Sequence, residues 1–263
     1  MSAAAAGELA VDVCGIGIIG PGLESWAAGA ARLRDPAAWQ AAPTAVPAPM
    51  RLPATERRRA GAVVKLSIVV ADEACAMAGL EPAALASVFS SSTGEPANCH
   101  VLCEALAAPE RLVSPTRFTN SVHNAAGGYW HIAVQGLRPS TSIAAFDASF
   151  AAGLLEATVQ AVALGEPVLL VAADVPYPEP LHAKRPLADA FGVALVLRPG
   201  TALRLRLADG GTPGACGHAG LDAIHDTIPA ARALPLLMAL ARGGPATCVL
   251  AAWGAGAQLE VRL

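Results

Sequence analysis

Residues 141–173 constrain the fold most. Thr141 to Phe146 reads as a strand, Asp147 to Leu164 as a long helix, and Pro167 to Ala173 as a second strand entered by a short return. A strand, a helix and a strand in direct succession form the basic unit of an α/β sheet. The flanking segments fit that class. Val11 to Ile19 alternates small and branched apolar residues and stops at Gly20-Pro21-Gly22, which predicts a buried strand and a turn. Pro36 to Pro53 carries five prolines and no periodic face, so it reads as irregular surface. Glu56 to Ala78 predicts one helix, apolar nearly all round in its middle and stopped by Gly79.

Further along, Ala86 to Phe89 reads as a strand entering Ser90-Ser91-Ser92-Thr93-Gly94. Helices are predicted over Asn98 to Ala107, His123 to Gln135 and Pro229 to Ala241. Phe191 to Leu197, Ala202 to Leu207, Thr247 to Trp253 and Gln258 to Leu263 read as strands, and Asp209 to Cys216 as a loop. No linker, charge block or short-period repeat divides the chain, so residues 1–263 are expected to form a single domain.

Composition removes several classes of function. With 54% apolar and 15% charged residues, the chain is not disordered. A net charge of −3, with Lys65 and Lys184 the only lysines, is no nucleic-acid footprint. The apolar stretch Gly61 to Ala71 is interrupted by Lys65 and Ser67, whereas a membrane span needs about 20 predominantly apolar residues. The N-terminus lacks a basic start followed by an apolar core, so no secretory signal is expected and the location is expected to be cytoplasmic. The six cysteines, at 14, 75, 99, 103, 216 and 248, are scattered and read as reduced. Cys99-His100-x-x-Cys103 has no second Cys/His pair to complete a zinc site, so no metal is expected. Gly15-x-Gly17-x-x-Gly20 matches a dinucleotide fingerprint by its letters, but Pro21 follows and no helix opens there, so no cofactor is expected.

The order of these segments resembles the β-ketoacyl synthase branch of the thiolase-fold family. Val13 to Trp26 (VCGIGIIGPGLESW) looks like the family's opening strand and turn, and Ala71 to Leu80 like the helix end that follows. Ser114-Pro115 with Asn124-Ala125-Ala126-Gly127 looks like the loop and helix ahead of the nucleophile strand. Ser142 to Ser149 (SIAAFDAS) looks like the nucleophile elbow, and Ala188 to Leu197 like the strand after the family's Gly-rich loop. The match runs from about Asp12 to Leu197. It implies a thiolase-like layered α/β/α fold, with residues 12–197 as the ketosynthase N-terminal half and residues 198–263 as a reduced C-terminal half.

The departures shape the functional expectation. The resemblance puts Asp147 where an active ketosynthase has its acyl-carrying cysteine. A helix N-terminus favours a thiolate and tolerates a carboxylate. A carboxylate, however, would bind an acyl chain as a reactive anhydride rather than as a storable thioester. The family's His-Gly-Thr-Gly-Thr motif is absent, and Gly217-His218-Ala219-Gly220 is a weak echo of its second histidine motif. The resemblance therefore implies no catalytic residue. It points to a pseudo-ketosynthase of the chain length factor type, similar to the short proteins of aryl polyene gene clusters. Such a subunit pairs as a heterodimer with an active β-ketoacyl synthase, which handles acyl chains on acyl carrier protein, and shapes its acyl tunnel. In the family, the loop ahead of the nucleophile strand reaches the neighbour's tunnel. Here that loop implies an interface at Thr116, Arg117, Phe118, Thr119, Ser121, Val122 and Asn124. A side chain ending a tunnel acts by overpacking, at about 1–3 kcal/mol, roughly tenfold or more per rejected elongation. The high apolar content fits a chain that hides surface in a partner.

Other readings stand beside this one. Asp147 is expected to cap its helix, or else to mimic an anionic intermediate. A stand-alone acyl hydrolase or acyltransferase would use Ser149 with His123 and Asp147, or a stray cysteine. Asp147 and Ser149, two apart on a helix, would point away from each other. Arg57-Arg58-Arg59 either meets an acidic carrier protein or is a solvated helix face. Tyr129, Trp130 and His131 line an interface or pack in the core. A self-associating homodimer is the third possibility.

Overall fold

The apolar runs read as buried strands lie at the middle of a sheet covered on both faces. The computed structural model describes residues 7–251 and 257–263. In chain order the strands are β1 (Leu9–Ile19), β2 (Ala86–Ser90), β3 (Ser140–Ile143), β4 (Val168–Asp174), β5 (Phe191–Pro199), β6 (Leu203–Asp209), β7 (Thr247–Ala251) and β8 (Ala257–Arg262). The helices are α1 (Trp26–Arg34), α2 (Ala54–Arg59), α3 (Ala62–Ala78), α4 (Pro96–Ala107), α5 (Pro115–Thr119), α6 (Ala125–Val134), α7 (Ser149–Leu164), α8 (Ala219–Thr227) and α9 (Leu234–Arg242). The described strands form one sheet in the order β3-β2-β4-β5-β1-β6-β8-β7. β2 pairs in parallel with both β3 and β4, so the crossover through α7 steps over β2. The other pairings are antiparallel.

Side chains alternate across a strand, and β4 uses both directions for burial. Leu169 and Val171 enter a core with Leu66 and Ile68 of α3 and Trp130 of α6. Leu170 and Ala172 enter the opposite core with Phe150 and Leu154 of α7 and Leu236 of α9. The result is the layered α/β/α architecture expected. Two cores on one sheet absorb much of the apolar content within the chain itself. Among the described residues, no helix is long and apolar enough to cross a membrane.

The glycines that spell a nucleotide fingerprint serve packing. A Cβ on Gly17 would stand 2.0 Å from the carbonyl oxygen of Val70, and one on Gly15 would stand 2.1 Å from that of Ala74. β1 thus lies directly against the α3 backbone. Glu73 of α3 ties down the same end of β1, accepting the Ile18 N–H at 3.0 Å and the Trp26 N–H at 2.6 Å.

The structure differs from the sequence reading in several places. The single helix expected over 56–78 is two, because Ala60 and Gly61 are extended. The Glu95 carboxylate enters at the break and accepts the Val64 N–H at 2.8 Å, capping α3 from a distant segment. Burial pushes that carboxyl's pKa up. α1, capped by Ser25, was not expected, because its short run of Ala, Gly and Arg gives little apolar period, with only Gly29 and Leu33 buried. Gly-rich 209–216 carries no helix or strand beyond Asp209, as read, but α8 follows it. The helix expected over 229–241 opens as a 3-10 turn, Pro229–Ala233, before α9. Of the strand expected over 247–253, Ala252 and Trp253 lie outside the described residues.

Gly17→Ala is expected to destabilise the fold by about 2 kcal/mol, since overpacking against immobile backbone costs about 1–3 kcal/mol. Urea denaturation checks this, and an unchanged midpoint would contradict the packing.

Candidate functional site

The site sits where β3 turns into α7. β3 ends at Ile143, earlier than expected, and Phe146–Ala148 form a 3-10 turn before α7. Phe146 has φ of 53°, a conformation that costs a bulky residue about 1–3 kcal/mol. The Ser149 hydroxyl holds this turn. It accepts the Ala145 N–H at 3.0 Å and donates to the Phe146 carbonyl at 2.7 Å. Ser149 is 1% exposed, and His123 bonds the Ser91 carbonyl instead, at 3.1 Å. The reading of Ser149 as a nucleophile with His123 and Asp147 is therefore overturned: its hydroxyl is committed to backbone and closed to substrate.

The expected cap also fails. α7 begins at Ser149 and carries no side-chain cap at its start. The Asp147 carboxylate turns instead to two arginines. Arg185 Nη2 lies 2.6 Å from its Oδ1, and Arg232 Nη2 lies 3.8 Å from its Oδ2. Arg185 also donates to Ser92 Oγ at 2.9 Å and to Tyr177 Oη at 3.1 Å. Its guanidinium lies 3.8 Å above the Phe146 ring, a cation–π contact. The segment between β4 and β5 thus folds back over the elbow. One arginine clamps both the strained residue and the acid beside it. A carboxylate engaged this way is a poor nucleophile, since its charge is neutralised by two guanidinium groups.

A cavity of about 20 Å³ lies between Ser67, Phe89, Ser90, Glu95, His123 and Ala126. It holds about one water, not an acyl chain.

The seven residues expected at an interface are all solvent-exposed. Part of that loop is helical: α5, capped by Ser114, spans Pro115–Thr119. Phe118 is 66% exposed. Asn120, between them, is buried; it accepts from Tyr129 Oη at 3.0 Å and donates to the Arg59 carbonyl at 3.0 Å. Tyr129 and Trp130 are core residues. Beside α5 lies a cleft of about 450 Å³ lined in part by Arg58, Arg59, Arg117 and Asn98.

Cys99 and Cys103 are exposed on α4, and His100 pairs with Glu104 at 3.2 Å. Among the described residues no three His, Cys, Asp or Glu side chains gather as a metal site. Cys75 and Cys216 are buried, with thiols pushed up to about 12, and are inert at neutral pH. His218 stacks edge-on against Trp39, with ring centres 5.5 Å apart. Arg185, Arg232 and the buried Asp174 discussed below were missed from sequence. Arg185 lies 38 positions from Asp147, and no local motif marks it.

Residues 26–242 match the sequence model of the β-ketoacyl synthase N-terminal domain. A comparison with curated protein sequences finds no match. Among solved structures, a chain of the ketosynthase (ApeO) in complex with its chain length factor (ApeC) from Xenorhabdus doucetiae is 24% identical. The alignment covers 97% of this chain and 100% of that one, with a TM-score of 0.75. The ishigamide ketosynthase/chain length factor is 14% identical over 97% and 98% of the two chains, with a TM-score of 0.68. The AntDE:AntF complex, a type II polyketide synthase acyl-carrier protein with its ketosynthase bound to the hexaketide, is 13% identical over 97% and 99%, with a TM-score of 0.71. These likenesses establish the fold.

Arg185→Ala is expected to lower stability by about 1–2 kcal/mol, the range for a partly exposed charged hydrogen-bond centre. Arg185→Lys should recover less than half of it, because an ammonium cannot stack and fork together. Denaturant titration of the three proteins checks this; full rescue by lysine would mean that charge alone acts there.

Proposed function

The chain belongs to the β-ketoacyl synthase N-terminal-domain family, and from that premise we propose that it is a non-catalytic ketosynthase-like subunit of the chain length factor type. It pairs with an active β-ketoacyl synthase and shapes that partner's acyl tunnel. The observation that carries this reading is the arginine-bound carboxylate of Asp147 in place of a thiol. Chain extension of this kind needs a nucleophile that stores the acyl group as a thioester. The site offers a neutralised acid.

The surface supports work done by shape. Among the described strands β3 is terminal, so its outer edge could accept a partner strand. Phe118, Val122, Ile132, Leu137 and Phe146 are large, apolar and exposed, and all lie on segments leading into or out of β3. Exposed apolar side chains of this kind would form part of an interaction surface. The solved relatives include ketosynthases in complex with chain length factors, which fits the same pairing here. Phe118 or Arg117 would then end the partner's tunnel. The cleft lined by Arg58, Arg59 and Arg117 would meet an acidic acyl carrier protein.

Co-expression with its cognate ketosynthase is expected to give a stable heterodimer, and elongation should require both chains. Within that complex, Phe118→Ala should shift products toward longer chains, while Asp147→Asn should leave turnover within about twofold. Mass spectrometry of the products checks both. A lone chain that elongates or cleaves an acyl thioester would sink the proposal, and exclusive self-pairing would replace it with a homodimer.

A further inference from the structure

Asp174 ends β4 and is 1% exposed. Its Oδ1 accepts Ser91 Oγ–H at 3.1 Å, the Ser92 N–H at 2.7 Å and the Thr93 N–H at 2.9 Å. Its Oδ2 accepts the Ala230 N–H at 2.9 Å. No cation pairs with it among the described residues; four neutral donors hold a fully buried acid. An acid so placed is costly unless each oxygen is satisfied, so both segments it touches are fixed by it.

Those segments are the ones that seat the partners of Asp147. Ser92, held through its N–H, presents Oγ to Arg185 at 2.9 Å. Arg232 lies two residues beyond Ala230 on the same 3-10 turn and reaches Asp147 at 3.8 Å. The Ser91 carbonyl also takes His123, at the head of α6, at 3.1 Å. Thus the elbow and the end of the exposed loop 116–124 hang on one carboxylate.

We infer that Asp174 is the positioning residue of the elbow: its carboxylate fixes the Ser91–Thr93 loop and the Pro229–Ala233 turn, and so sets Arg185 and Arg232 on Asp147. This rests on the proposed function only in taking position 147 as carrying no acyl group. The assay below uses the isolated chain, so failure of the partner pairing would leave it standing.

The two oxygens predict an asymmetry. In Asp174→Asn the amide keeps its one carbonyl on the three loop donors and turns its NH2 onto the Ala230 N–H. Two donors then face each other, and the turn bearing Arg232 moves away while Arg185 stays. Asp147→Cys supplies a reporter, because nearby guanidinium groups favour a thiolate. Its pKa is read from the pH dependence of iodoacetamide alkylation. Adding Asp174→Asn is expected to raise that pKa and slow alkylation at pH 7 about threefold or more. Arg232→Ala in the same background should give the same fall, and the two together no more than either alone. An unchanged thiol, or fully additive effects, would overturn the assignment.

Ser91→Ala removes one donor only and keeps the test open should the amide variant not fold. It is expected to slow alkylation less, and no effect from it in that case would likewise overturn the assignment. The wild-type chain gives a second readout. Burial raises the Asp174 carboxyl to about 6, against the opposing hydrogen bonds. His123 bonds the Ser91 carbonyl, Arg185 bonds Ser92 Oγ, and Arg232 sits two residues beyond Ala230. A folded-state pKa above the unfolded value near 3.9 means that stability from this group falls as pH rises from about 4 to 6 and is level above. Relative to Asp174→Asn, the wild-type folding constant should fall about a hundredfold across that window. His123→Gln must retain this slope, and its loss there would assign the titration to His123 instead.

Discussion

The contact between Arg185 and the Phe146–Asp147 pair holds this end of the molecule together. A bulky residue with positive φ is unfavourable unless its surroundings enforce it. Here the Ser149 hydroxyl fixes the backbone from below and the Arg185 guanidinium covers the ring from above. The same guanidinium takes the acid next to the strained residue. The turn is thus kept in shape while the acid it presents is neutralised. Asp147 is about half-exposed, so its Coulomb attraction alone would count for little. The stacking and the additional bonds to Ser92 and Tyr177 give the contact its grip.

The second constraint is close packing through small residues. β1 approaches α3 at backbone contact because Gly15 and Gly17 carry no side chains. A Cβ on Gly153 of α7 would stand 2.8 Å from the Ser90 side chain. Such helices cover a sheet tightly on both faces, which explains a chain rich in Ala and Val yet poor in aromatics. It also changes what the composition implies. High apolar content was read as surface awaiting a partner, yet the paired cores absorb much of it. The case for a partner therefore rests on where the remaining exposed apolar residues lie, not on how many apolar residues there are.

Much of the frame was legible because it obeys local rules. β1, β4 and α7 follow from apolar period, with β1 stopped at Gly20, and the order of segments carried the family resemblance. What escaped was nonlocal. The break at Ala60-Gly61 depends on Glu95, 31 positions from the N–H it accepts. The partners of Asp147 arrive from the segment after β4 and from the turn before α9, so the acid looked like a helix cap. Ser149 was misassigned for a different reason. A serine just after a sharp turn is chemically ambiguous in sequence, and only its two bonds to Ala145 and Phe146 identify it as a staple.

The two halves of the site then bear on each other. If the elbow stores no acyl group, any influence on acyl chemistry must leave through the surface. The route is short: the Ser91–Thr93 loop touches Arg185 on one side and His123 on the other. His123 begins the step from the exposed loop into α6, whose Tyr129 hydroxyl holds Asn120 of that loop. Asn120 in turn holds the Arg59 carbonyl at the arginine-lined cleft. Elbow, exposed loop and cleft are therefore joined by direct hydrogen bonds. On the proposed reading, the rigidity of the elbow positions a surface, and a fixed surface is what excluding one more two-carbon unit would require, because a side chain free to move aside would set no limit.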